Sequence, residues 1–161
     1  MFHVLLSHLL APKPPLVWRV LTDETLMPQW VEGLVEVERV SGQSAEVGAR
    51  FDFLFTLEQK RVHGATEVTS ARAEKLYALE TRVGGGWLLL DTIRLEPEGG
   101  GTRLSVASEL HRVGTSPLAE LFNRRSGLLG APAVRPLDAA YERSFASFKK
   151  LVDTRAERPY R

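Results

Sequence analysis

The sequence predicts an α+β fold: a seven-stranded, curved antiparallel sheet wrapped on a long C-terminal helix, with two short helices after strand 1. Three observations carry this. Alternating apolar and polar stretches, separated by short turns, recur between residues 34 and 113. The piece PPLVWRVLTDETLMPQWVEGL, residues 14–34, reads as two short helices set between the first strand and the others. The piece VRPLDAAYERSFASFKKLV, residues 134–152, repeats its apolar side chains at spacings of three and four, as one long amphipathic helix does.

Taken in order, FHVLLSHLL is a strand with apolar residues on both faces, which predicts a place inside the sheet. APKPP ends it, and Pro15 suits the first turn of a helix carrying Leu16, Val17, Val20 and Leu21. Asp23 can cap a second short helix, which Pro28 is expected to interrupt. The strands LVEVERV, RFDFLFTLE, RVHGATEVT, EKLYALETRV, WLLLDTIRLE and TRLSVASELHRV follow. GGG at 84–86 is a turn, and PEGGGT is a hairpin signal. Short turns between successive strands predict an antiparallel meander. TSPLAELFNRRSGLLGAPAV is expected to be a short helix and a Gly/Pro-rich link. Leu137, Tyr141, Ser144, Phe145, Phe148, Leu151 and Val152 form the stripe of the last helix. Residues 1–155 make one domain, and 156–161 a polar tail.

A chain of 161 residues is long enough to bury a sizeable core. Its net charge of +1 argues against nucleic acid as a partner. No apolar run reaches the length of a bilayer span, so integral membrane association is not expected. The N-terminal apolar stretch lacks a basic leader and reads as a strand rather than a signal peptide, so the expected location is cytoplasmic. There is no cysteine, which removes disulfides and thiolate chemistry. His3, His8, His63 and His111 stand in separate elements without metal-ligand spacing, so no metal and no other cofactor is expected. GGGW and EGGGT precede strands rather than helices and are not phosphate loops. Arg124, Arg125 and Arg135 form a local basic cluster best read as solvated surface.

The opening APKPPLVWRVLTDETLMPQWVEGL resembles that of the START-like, helix-grip superfamily, which includes polyketide cyclase/dehydrase-like proteins. The matching features are Ala11-Pro12 after the first strand, Val17-Trp18, Asp23, and Pro28 with Trp30. The glycine turn at GGGTRLSV and the terminal helix also fit. The resemblance covers nearly the whole chain. It implies the helix-grip fold, in which the two short helices form a V that supports the end of the long helix. It also implies a cavity between sheet and helix.

Alternation places Phe2, Val4, Leu6, His8 and Leu10 on one face of the first strand, and Phe51, Phe53 and Phe55 on one face of the third. Trp87, Leu89, Asp91, Ile93 and Leu95 share a face, as do Thr102, Leu104, Val106, Ser108 and Leu110. An apolar floor with a few polar interruptions suits a small-molecule site. The expected ligand-binding residues are Trp30, Phe51, Phe53, Phe55, Trp87, Leu89, Asp91, Ser108, Tyr141 and Phe145. His8, Asp91 and Tyr141 are the candidates for acid–base work. A carboxylate on an apolar face needs a partner, and an arginine is the ordinary one. His8 also fits a satisfied core histidine, and Tyr141 a packed ring with a wet tip.

The expected function is binding of a hydrophobic small molecule, such as a lipid, isoprenoid or polyketide-like aromatic, for transport or sequestration. SGLLGAPAV, residues 126–134, is the expected gate. Two other classes stay open: a cyclase- or dehydratase-type enzyme acting on such a ligand, and a protein-interaction module. The oligomeric state is open as well.

Overall fold

A computed structural model of the chain describes residues 2–57, 59–84, 86–113 and 135–158. Seven strands form one antiparallel sheet: β1 (Phe2–Leu10), β2 (Leu34–Ser41), β3 (Arg50–Leu57), β4 (Lys60–Arg72), β5 (Leu76–Val83), β6 (Trp87–Glu98) and β7 (Gly101–Arg112). Their order across the sheet is β1-β7-β6-β5-β4-β3-β2. Two short helices, α1 (Pro14–Thr22) and α2 (Met27–Trp30), follow β1, with a 3-10 turn (Glu24–Leu26) between them. The long helix α3 spans Arg135–Ala156. This is the α+β arrangement expected. The segment 126–134, read as a gate, lies outside the described residues, as does the short helix expected before it.

Two expectations are corrected. β1 lies at the edge of the sheet, not inside it. Val4, Leu6 and Leu10 point inward and are buried, while Leu5 and Leu9 are 81% and 50% exposed on the outer face. Apolar residues on both faces therefore did not mean cover on both faces. Pro28 does not interrupt the second helix but sits in its first turn, where a missing N–H costs nothing. Asp23 does cap, accepting from Thr25 N at 3.0 Å.

The turn between β6 and β7 sets the register of half the sheet. Gly99 and Gly100 have φ of +58° and +82°, the left-handed pair that a two-residue hairpin requires. Every β6 residue then has a defined β7 partner, from Glu98↔Gly101 to Trp87↔Arg112. Gly101 lies so close to the end of β1 that a Cβ there would come within 2.1 Å of the Leu10 carbonyl oxygen. Beside it, the buried Thr102 hydroxyl donates to Pro12 O at 2.7 Å. These contacts hold the start of the helical V against the hairpin end of the sheet. Bulges between Leu34 and Glu36, Arg39 and Ser41, and Val68 and Ser70 bend the opposite half. The first bulge turns both Leu34 and Val37 inward, against Phe55 and Phe53, and leaves Val35 exposed.

The core lies between the concave face and the helices, with Leu10, Val17, Val20, Leu21, Phe51, Val68, Tyr77, Leu95, Leu104, Phe148 and Val152 buried together. Trp18 meets Tyr77 edge-on at 5.8 Å, and Trp30 meets Phe148 edge-on at 5.0 Å. Glu24 is buried at the V, bonded to the guanidinium of Arg39 and the hydroxyl of Ser44. Burial would raise its carboxyl pKa, but these hydrogen bonds and the Arg39 charge outweigh burial and hold it below the usual value.

Substitution of Gly101 by alanine tests the hairpin anchor. Because the clash is with backbone, the Gly101→Ala variant should lose about 1–3 kcal/mol in chemical denaturation, as an overpacked site does.

Candidate functional site

The inward residues form rungs across the sheet, because residues at paired positions share a face. One rung runs Val68, Leu79, Asp91, Ser108, Val4 from β4 to β1. The next runs Thr66, Thr81, Leu89, Leu110 from β4 to β7. Toward the hairpin end, Ile93, Leu95 and Leu104 are buried beneath the helices. At the Asp91 rung the cover thins. Leu79, Leu89, Val106 and Leu110 are inward yet only half-buried, as is Trp87 at the start of β6. This half-covered end of the concave face is the candidate site.

Three of the residues expected at the site meet there. Asp91 Oδ1 accepts from Tyr141 Oη on α3 at 2.5 Å, and also from Ser108 Oγ on the neighbouring strand. The arginine partner anticipated for a carboxylate on this face is replaced by two neutral hydroxyls. Burial pushes the Asp91 carboxyl above its ordinary value, and the hydrogen bonds from Ser108 and Tyr141 pull only partly against it. The Tyr141 hydroxyl is pushed well up by burial, then by the Asp91 charge it faces. Its proton therefore stays in place at neutral pH and remains available as a donor.

His8 does not join this cluster. It lies opposite Leu104, stacks on Phe145 with centroids 3.9 Å apart, and approaches Glu142 Oε2 at 3.5 Å. It thus ties α3 to the edge strand. Phe51 and Phe53 are buried in the core, while Phe55 is half-buried beside Phe53 at 5.7 Å. Trp30 is half-buried under α3, and its indole N–H is enclosed without a hydrogen-bond partner. Sequence reading put Ser144 on the inward stripe but missed Glu142, Arg143 and Glu32, which also seat α3. Ser144 Oγ accepts from Glu32 N at 2.8 Å, and Arg143 Nε donates to Glu32 Oε1 at 3.1 Å. The polar face of an amphipathic helix carries no signal of which polar residues cross to a neighbour.

A groove of about 310 Å³ opens between β1 and α3, lined by His3, Val4, Leu5, Leu6, Asp138 and Glu142. It adjoins the site through Val4, the β1 member of the Asp91 rung. Among the described residues no cluster of His, Asp and Glu could hold a metal ion, and no helix is long and apolar enough to cross a membrane.

Comparison with known proteins places this geometry. The family model described as polyketide cyclase / dehydrase and lipid transport matches residues 1–153. No curated protein matches the chain. Among solved structures, a conserved protein from Geobacillus kaustophilus superposes with a TM-score of 0.74 at 15% identity, covering 95% of this chain and 96% of that one. Ara h 8.0201 gives 0.71 at 14% identity, with 95% and 98% covered. The Thermus thermophilus protein TTHA0849 gives 0.69 at 16% identity, with 95% and 98% covered. At these identities the structural likeness is one of fold.

The raised pKa of Asp91 makes stability depend on pH. The folded chain keeps a proton that the unfolded chain has already released. The stability from this group is therefore whole below the ordinary carboxyl value and is lost as pH rises through the raised one. The Asp91→Asn variant keeps the shape and cannot ionise. Its Tm relative to the parent chain should rise as pH increases above about 4, read by thermal denaturation at a series of pH values.

Proposed function

The chain belongs to the polyketide cyclase / dehydrase and lipid transport family, and from that premise we propose that it binds a hydrophobic small molecule on the half-covered floor between the sheet and α3. One observation supports this above the others: inward apolar side chains, Leu79, Leu89, Val106 and Leu110, stay half-buried around a small polar cluster. A core closed for stability alone would cover them. A ligand that did so would gain on the order of 25 cal/mol per Å² of apolar surface, before the cost of ordering. Lipids, isoprenoids and polyketide-like aromatics have the required apolar body, and Trp87 and Phe55 offer ring faces to it. Transport or sequestration is the role such binding would serve.

The polar cluster supports a second reading, an enzyme of cyclase or dehydratase type. A carboxyl held above its usual pKa on an apolar floor is suited to give or take a proton at a bound ligand. Asp91 would be that group, with Tyr141 and Ser108 holding its carboxyl in place. This reading requires turnover that disappears in Asp91→Asn while binding of an apolar probe persists.

Native mass spectrometry of the chain purified from its own cells, followed by solvent extraction, tests the first reading. A mass excess that vanishes on denaturation, with an apolar compound in the extract, is the expected result. Leu89→Trp fills the open end and should weaken binding of that compound by about tenfold or more, with the far-ultraviolet dichroism unchanged. A ligand bound equally well by this variant would place the site elsewhere.

A further inference from the structure

We propose that the ligand of this site carries a positively charged amino group on its apolar body, and that the Asp91 carboxylate is the counter-ion. The proposal rests on the ligand-binding reading above and names the class of ligand.

Asp91 stands among aliphatic neighbours. Leu89 and Ile93 flank it on β6, Leu79 faces it from β5, and Val106 and Leu110 lie diagonally across on β7. Both of its described hydrogen bonds go to Oδ1, from the Ser108 and Tyr141 hydroxyls. No described residue donates to Oδ2, and Asp91 has no ion pair among the described residues. Glu24, the other carboxylate enclosed on this side of the sheet, is paired with Arg39. Among the described residues, a cation is supplied to Glu24 and none to Asp91.

Neutral hydroxyls solvate a carboxylate but do not balance its charge, and an unbalanced charge on an apolar floor is costly. A ligand ammonium donating to Oδ2 would supply that balance through a charge-assisted hydrogen bond, strengthened by the surrounding aliphatic side chains. A ligand hydroxyl would make a bond without balancing charge. A ligand carboxylate would meet like charge, so fatty acids are disfavoured. Burial raises the pKa of Asp91, and the two hydroxyls pull only partly against it.

The approach to the site has the same sign. The groove beside Val4 is lined by Asp138 and Glu142 from α3, with His3 opposite and His8 close to Glu142. The two carboxylates on this groove favour cations over anions.

Calorimetric titration of the full chain at neutral pH with decylamine, decanol and decanoate separates the possibilities, since the three share a chain and differ in head group. Decylamine should bind about tenfold more tightly than decanol, and decanoate most weakly. Asp91→Asn should bring decylamine to the level of decanol. Equal affinities in the parent chain, or preference for decanoate, would overturn the amine assignment while leaving apolar binding standing. Retention of the amine preference by a folded Asp91→Asn variant would overturn the role of Asp91. Binding of none of the three would overturn the ligand-binding reading, and the amine assignment with it. The three-probe comparison needs no variant, so it decides the matter even if Asp91→Asn does not fold.

Discussion

One helix has to cover seven strands. A helix with its side chains is about 10–12 Å across, while seven paired strands span roughly 29 Å. The sheet answers by curling, with its bulges on β2 to β5, and by borrowing cover from α1 and α2 at the hairpin end. Among the described residues, the far end, around Asp91, Leu89 and Leu110, receives only the N-terminal half of α3. The half-covered floor follows from this mismatch in width, and the residues placed on it decide what the mismatch is good for.

The two ends of the seam differ in how they are held. At the hairpin end, backbone meets backbone: Gly101 against Leu10, and Thr102 bonded to Pro12 O. Phe148 and Val152 of α3 are buried there, and Trp30 braces Phe148. At the other end α3 touches the sheet through a side-chain tip, Tyr141 on Asp91. Such contacts can be exchanged for contacts with a ligand at modest cost, whereas the packed end cannot yield without loss of core burial. The same helix is therefore an anchor over its last turns and a partner to the site over its first.

The family and the fold are shared with proteins of quite different sequence, and this limits what likeness can say. A sheet wrapped on a helix provides a floor in all of them, while the chemistry of the floor depends on a few side chains. Here those are one carboxylate with no cation among the described residues, two hydroxyls that hold it, and two more carboxylates in the groove beside the edge strand. The ligand class argued above comes from these residues of this chain.

Much of this could be read before any coordinates. Side chains in a strand alternate in direction, so the inward sets containing His8, Phe51, Asp91 and Ser108 followed from position alone. The glycine hairpin was legible as well, but which two of its three glycines turn, and so that Asp91 faces Ser108, came from the structure. The place of β1 was not legible. Hydrophobicity on both faces looks alike in a central strand and in an edge strand with Leu5 and Leu9 left to solvent. Nor was the seat of α3 legible: periodicity tells which stripe faces the sheet but not how far the helix slides along it. That Tyr141 rather than an arginine meets Asp91, and that His8 pairs with Phe145 and Glu142 instead of joining the polar cluster, was settled by contacts between segments far apart in the chain. Local pattern sets direction, and long-range packing sets distance; the fold rests on the first and the chemistry of the site on the second.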